Sequence, residues 1–132
     1  MRTREPGVPG LGKLLLMGRD PEIRCTAARS LAETGDVSAY AWLRQALWDP
    51  HEGVRASAVE AVGSLAVRQS AGELAAVYAW AGARLRRSVL RAVLRMSGTA
   101  GFDGLLRLAA DDPDRTVRAL AGRAARVRAG RS

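Results

Sequence analysis

Arg84, Arg87, Arg91 and Arg95 recur at intervals of three, four and four residues. On a helix this spacing gathers them into one stripe, away from the apolar positions Leu85, Val89 and Val93. Like charges at i,i+4 repel by roughly a few tenths of a kcal/mol per pair. No acidic residue occurs between Glu73 and Asp103, so nothing close in sequence neutralises the stripe. The chemistry on offer is anion binding, to an acidic protein surface or to the phosphates of a nucleic acid. Arg123, Arg126, Arg128 and Arg131 extend the basic character toward the C-terminus.

Other reactive residue types are sparse. His51 stands beside Asp49 and Glu52, but no second His or Cys is spaced to complete a metal or acid–base site, so His51 is expected to be a turn residue. Cys25 is the sole cysteine. It has no His base near in register and is expected to be a packing or surface residue rather than a nucleophile. Gly98-Thr99-Ala100-Gly101 lacks the Lys and the preceding strand of a phosphate loop. No catalytic residue, metal or cofactor is expected.

The chain has 132 residues and a formal net charge of +8, from 21 basic and 13 acidic side chains. That length suits one domain able to fold without disulfide or metal. Ala (25) and Leu (16) dominate the apolar residues, while aromatics make up 5%. This is helix composition. The near absence of Lys and Asn reflects a GC-rich genome, so Arg by itself says little. Position says more: residues 1–66 are neutral, and residues 67–132 hold 13 basic against five acidic side chains. With no long apolar run and one cysteine, a cytoplasmic protein without a membrane span is expected.

The elements that position these side chains repeat. Aligning Ile23-Arg24, Val54-Arg55, Leu85-Arg86 and Val117-Arg118 gives steps of 31, 31 and 32 residues. In that register the apolar sets Ile23, Ala27, Ala28, Leu31; Val54, Ala58, Val59, Val62; Leu85, Val89, Leu90, Val93; and Val117, Ala121, Ala125 each mark one helix face. Leu43, Leu74 and Leu105, also 31 apart, mark a preceding helix in each unit. The spacing predicts helices at 10–18, 22–34, 37–48, 52–66, 71–81, 84–97, 101–110 and 114–128, grouped as repeats 10–35, 37–66, 71–97 and 101–128. Residues 1–9 and 129–132 are expected to be flexible ends. Helix pairs at a fixed period form a solenoid, each pair burying its face on the next.

The stretches Asp20-Pro21-Glu22-Ile23-Arg24, Asp49-Pro50-His51-Glu52-Gly53-Val54-Arg55 and Asp112-Pro113-Asp114-Arg115-Thr116-Val117-Arg118 resemble HEAT repeats, of the short bacterial type seen in phycobilin lyase subunits. The resemblance implies an all-α, right-handed solenoid of about four helix pairs, with second helices on the concave side. It also implies a ladder of ion pairs and hydrogen bonds between repeats, from Asp20, Asp49 and Asp112 to Arg24, Arg55, Arg86 and Arg118. The third repeat departs from the pattern, with Trp80-Ala81-Gly82-Ala83 in place of Asp-Pro. Arg86 therefore lacks a loop Asp of its own. Either the neighbouring repeat supplies an acceptor or this junction is looser.

In the same register Arg91 matches Arg29, Glu60 and Arg123. Arg84, Arg87, Arg91, Arg95 and Arg123 are thus the candidate residues for an anionic partner. Trp42 either anchors an interface or packs against the first helix, whose Leu14, Leu15 and Leu16 cap the stack. Trp48 and Trp80 are expected to pack in the core or against loops. The reading is a non-enzymatic binding module for an acidic protein surface, with no membrane partner or small-molecule substrate. Nucleic acid on the same arginines is the alternative, weakened by the lack of aromatics inside the stripe. A DNA-glycosylase-like or lyase-like activity rests on repeat type alone.

Overall fold

The computed structural model describes residues 7–96 and 101–130. Helix-forming Ala and Leu at 3.6-residue spacing produce eight α-helices there: α1 (Val8–Met17), α2 (Pro21–Glu33), α3 (Tyr40–Ala46), α4 (Glu52–Leu65), α5 (Ala71–Trp80), α6 (Ala83–Arg95), α7 (Asp103–Ala109) and α8 (Arg115–Gly130). The helix expected at 37–48 is divided. A 3-10 turn at Val37–Ala39 precedes α3, and the Asp36 carboxylate accepts from the Ser38 amide at 2.9 Å. Residues 8–9 and 129–130 are helical rather than loose ends. Gly7 is the N-cap of α1, and residues 1–6 and 131–132, with Gly98, Thr99 and Ala100, lie outside the described residues.

The helices pair into an all-α solenoid. Second helices α2, α4, α6 and α8 pack each directly on the next, and α3, α5 and α7 each pack on the second helix that follows. Beyond the α1–α3 contact, the first helices scarcely touch one another. A tightly packed layer beside a splayed one curves the stack, with the second helices inside. Side-chain size sets the spacing: a Cβ added to Gly63 on α4 would stand 2.8 Å from Cα of Ala92 on α6. Only hydrogen at position 63 lets these backbones approach so closely.

Leu31, Val54, Val59, Val62, Val89 and Leu90 lie between the layers with no exposed surface. Two expected core positions differ. Ile23 is 42% exposed, whereas its register mates Val54, Leu85 and Val117 are buried, because each of those has a preceding second helix to pack on. On α8, Ala124 is buried and Ala125 exposed, so the inner stripe runs Val117, Leu120, Ala121, Ala124.

One arginine contact recurs in every repeat. The carbonyls that end a first helix have no partner within it. Nη1 of Arg24 donates to Gly18 O at 2.8 Å, Arg55 to Asp49 O at 2.8 Å, Arg86 to Ala81 O at 2.6 Å and Arg118 to Asp112 O at 2.8 Å. A cation at this negative helix end is also favourable electrostatically. The other edge of the guanidinium reaches forward. Nε and Nη2 of Arg24 hold Asp49 at 2.9 and 3.2 Å, and those of Arg86 hold Asp112 at 2.8 and 3.3 Å. Such bidentate pairs fix orientation as well as distance.

These clasps run between adjacent repeats, and of the residues named for the ladder they use Arg24, Asp49, Arg86 and Asp112. Each pairs the Arg of one repeat with the Asp of the next, so Arg86 has its acceptor in Asp112. Arg55 is the arginine facing a repeat without the Asp. Asp20 stands outside the series: it is the N-cap of α2, with Pro21 already in the helix, and Gly18 occupies the place that Asp49 and Asp112 take. Among the described residues its carboxylate makes no hydrogen bond or ion pair. Pro50 and Pro113 precede their helices' N-caps, His51 and Asp114.

Asp112 is the most enclosed acid of the clasps, with 3% of its side chain exposed. Burial alone would raise its pKa. Hydrogen bonds from the Tyr78 hydroxyl, the Asp114 amide and Arg86 outweigh burial and hold it below the ordinary value. The same carboxylate, with desolvation, pushes the Tyr78 hydroxyl well above its usual range.

Two predictions test this packing. Gly63→Ala would stabilise α4 by about 1 kcal/mol if helix propensity decided. Overpacking against Ala92, at roughly 1–3 kcal/mol, is expected to win, and urea unfolding should show a net loss of about 1 kcal/mol. Because the folded pKa of Asp112 lies below the unfolded value of about 3.9, the unfolded chain takes up the proton first. Its contribution is therefore complete above that value and lost as pH falls through the folded one. Asp112→Asn should cost about 2–3 kcal/mol at pH 7, and denaturant midpoints between about pH 5 and 3 should decline less steeply than in the parent.

Candidate functional site

The second helices present a row of long polar side chains along the inner face. Arg29, Glu60, Arg91 and Arg123 occupy equivalent positions on α2, α4, α6 and α8, and all four are exposed. Between α4 and α6 lies a groove of about 590 Å³, lined by His51, Glu52, Glu60, Arg84, Arg87 and Arg91 among others. Among the described residues, the side chains of Arg84, Arg91 and Arg123 make no hydrogen bond or ion pair. Arg29 reaches only Thr26 Oγ1, at 3.4 Å.

The stripe is not uniform. Arg87 binds Asp114 bidentately, with Nε–Oδ2 at 2.9 Å and Nη2–Oδ1 at 2.6 Å. Asp114 also caps α8 by accepting from the Val117 amide at 2.9 Å. The Arg87 hydrogen bonds, followed by that amide, hold the Asp114 carboxyl far below the usual carboxylate range. Arg87 is therefore a structural link between repeats, not an unneutralised cation. Asp114, 27 residues along the chain, supplies the countercharge that local sequence lacks. Arg95 turns toward α4, with Nη1 on Ser64 Oγ at 2.6 Å.

The aromatics exchange roles. Trp42 packs against α1, and a Cβ on Gly12 would stand 2.1 Å from its indole. That enclosure makes Trp42 part of the α1–α3 contact rather than an interface anchor. Trp48 and Trp80, expected to pack in the core or against loops, are 47% and 84% exposed. Trp80 ends α5 and Trp48 lies two residues beyond the end of α3, where the chain turns inward and leaves the indoles at the rim. With Leu47, Val77, Leu85, Ala81 and Arg55 they line a notch of about 370 Å³.

Cys25 and His51 line one cleft, together with Asp20, Glu22 and Arg29. The fold thus brings closer a pair that register separates. The His51 Nδ1 accepts from the Gly53 amide at 3.0 Å and so caps α4. The proton of the neutral ring then lies on Nε2, and the ring's lone pair is committed to the cap. Among the described residues no group of three His, Cys, Asp or Glu side chains is placed to hold a metal. No helix there is long and apolar enough to cross a membrane.

The repeating helix pairs agree with comparison to known families. No curated protein matches the chain. A family model described as HEAT repeats matches residues 8–95, the stretch from α1 through α6. The match spans more than half the sequence, and α7 and α8 continue the same packing, so the chain belongs to the HEAT repeats family.

Proposed function

We propose that this protein is a non-enzymatic interaction scaffold whose inner face engages an acidic surface of another protein. HEAT repeats generally serve as protein-interaction scaffolds. The observation that carries the finer reading is the set of exposed arginines, Arg84, Arg91 and Arg123, that no carboxylate of the described chain neutralises. They project from stacked helices held by clasps and caps, so the backbone loses little conformational entropy on binding and the ordering cost falls on the arginine rotamers. Their charge steers association more than it adds affinity.

Protein is favoured over nucleic acid by Glu52 and Glu60, which line the groove beside Arg84 and Arg91. A continuous phosphate backbone would meet these carboxylates, whereas a protein surface can place its own cation against them. The likeness to phycobilin lyase repeats brings no activity into this reading, since function rests on a site and not on a fold.

Arg84→Glu/Arg91→Glu removes two arginines with no structural partner and should leave unfolding unchanged. The parent, immobilised in an extract of its own cells, is expected to retain acidic proteins after nuclease treatment, and the double variant to lose them. Equal retention by the variant would reject the face. Loss of all binding on nuclease treatment would assign it to nucleic acid, with a salt slope near −0.9 per phosphate contact on duplex DNA.

A further inference from the structure

The junction between the second and third repeats is built like its neighbours, except that it lacks a carboxylate. Counting 25 residues from Arg24 reaches Asp49. The same count from Arg55 reaches Trp80, which ends α5. Gly82, the N-cap of α6, offers no side-chain cap, and Ala81 offers no carboxylate. Arg55 keeps its carbonyl contacts at Asp49 and Pro50, at 2.8 and 3.2 Å. Its Nε makes no hydrogen bond among the described residues. Its Nη2 has only Glu52, at 4.0 Å and beyond hydrogen-bond reach. The edge that holds an aspartate on Arg24 and Arg86 is vacant on Arg55.

Arg55 lines the notch flanked by Trp48 and Trp80. The walls are otherwise Leu47, Val77, Ala81 and Leu85, with no acidic side chain among them. Trp80 is the most exposed of the large hydrophobic residues described. An indole so exposed beside a guanidinium with an unused fork matches the composition of interface anchor points, where Trp and Arg are enriched. A bare inorganic anion would leave both indoles in water. A carboxylate carried next to a bulky apolar side chain would satisfy the fork and cover them together.

We propose that this notch docks an Asp or Glu of a partner protein together with a neighbouring apolar side chain, the carboxylate taking at Arg55 the place that Asp49 takes at Arg24 and Asp112 takes at Arg86. The partner thereby completes the missing clasp and joins the second repeat to the third. The site lies at the rim of the turns, apart from the Arg84–Arg91 groove, and does not depend on the function proposed for that groove.

A random peptide library displayed on phage and selected on the full chain tests this directly. The enriched peptides should carry Asp or Glu beside Leu, Ile, Phe or Trp. Synthetic copies should bind Arg55→Met about tenfold or more weakly, the loss expected for one charge-assisted hydrogen-bonded contact. The surface variant Trp48→Ser/Trp80→Ser should lose binding similarly, which keeps the test valid if Arg55→Met unfolds. Binding to Arg84→Glu/Arg91→Glu should be unchanged, separating this site from the inner face. Enrichment without acidic residues, no enrichment at all, or unaltered binding to the notch variants would overturn the proposal.

Discussion

Each turn between the two helices of a repeat ends a helix whose last carbonyls need donors, and a single arginine of the following helix supplies them. Because the guanidinium is a planar fork with two usable edges, the same residue can close its own turn and grip the next repeat. Arg24 and Arg86 do both. Arg55 and Arg118 close their turns only. The clasps tie the first repeat to the second and the third to the fourth, whereas α4 and α6 meet without one, through the close approach of Gly63 to Ala92. Clasps and close packing together hold the second-helix layer and set the spacing of exposed charges along it.

Much of this was legible in sequence because a solenoid writes its contacts at a fixed period. The helices, their pairing and the recurrence of Arg24, Arg55, Arg86 and Arg118 can be read from steps of 31 and 32 residues. What could not be read was which of two similar spellings performs which task. Asp-Pro occurs at 20, 49 and 112, yet Asp20 lies four residues before its Arg, and Asp49 and Asp112 lie six before theirs. Two residues separate a cap from a clasp. Arg87 was misplaced for a related reason: its partner Asp114 belongs to the next repeat, and local charge counting does not reach that far. The tryptophans mislead because burial at a helix end depends on what packs beyond it. Gly12 makes room for Trp42, and nothing described covers Trp80.

The basic excess divides into two kinds of arginine. Those that clasp or bridge, including Arg24, Arg86 and Arg87, are neutralised within the fold and set its shape. Those that project without a partner, Arg84, Arg91 and Arg123, set its field toward solvent. Arg55 belongs partly to each kind, anchored to its own turn by one edge and open on the other. A charge spent within the fold and a charge left toward solvent thus come from one residue type at neighbouring positions. A net charge of +8 cannot distinguish them, whereas the hydrogen-bond partners do.

Where it is present, the arginine clasp, and not the carbonyl contact alone, couples adjacent repeats. Equilibrium unfolding of Arg24→Met, Arg55→Met, Arg86→Met and Arg118→Met measures it most directly, since Met keeps the apolar stem and removes the fork. Arg24→Met and Arg86→Met strand a buried aspartate and should cost about 1–2 kcal/mol more than the other two. Equal losses across all four variants would contradict the account.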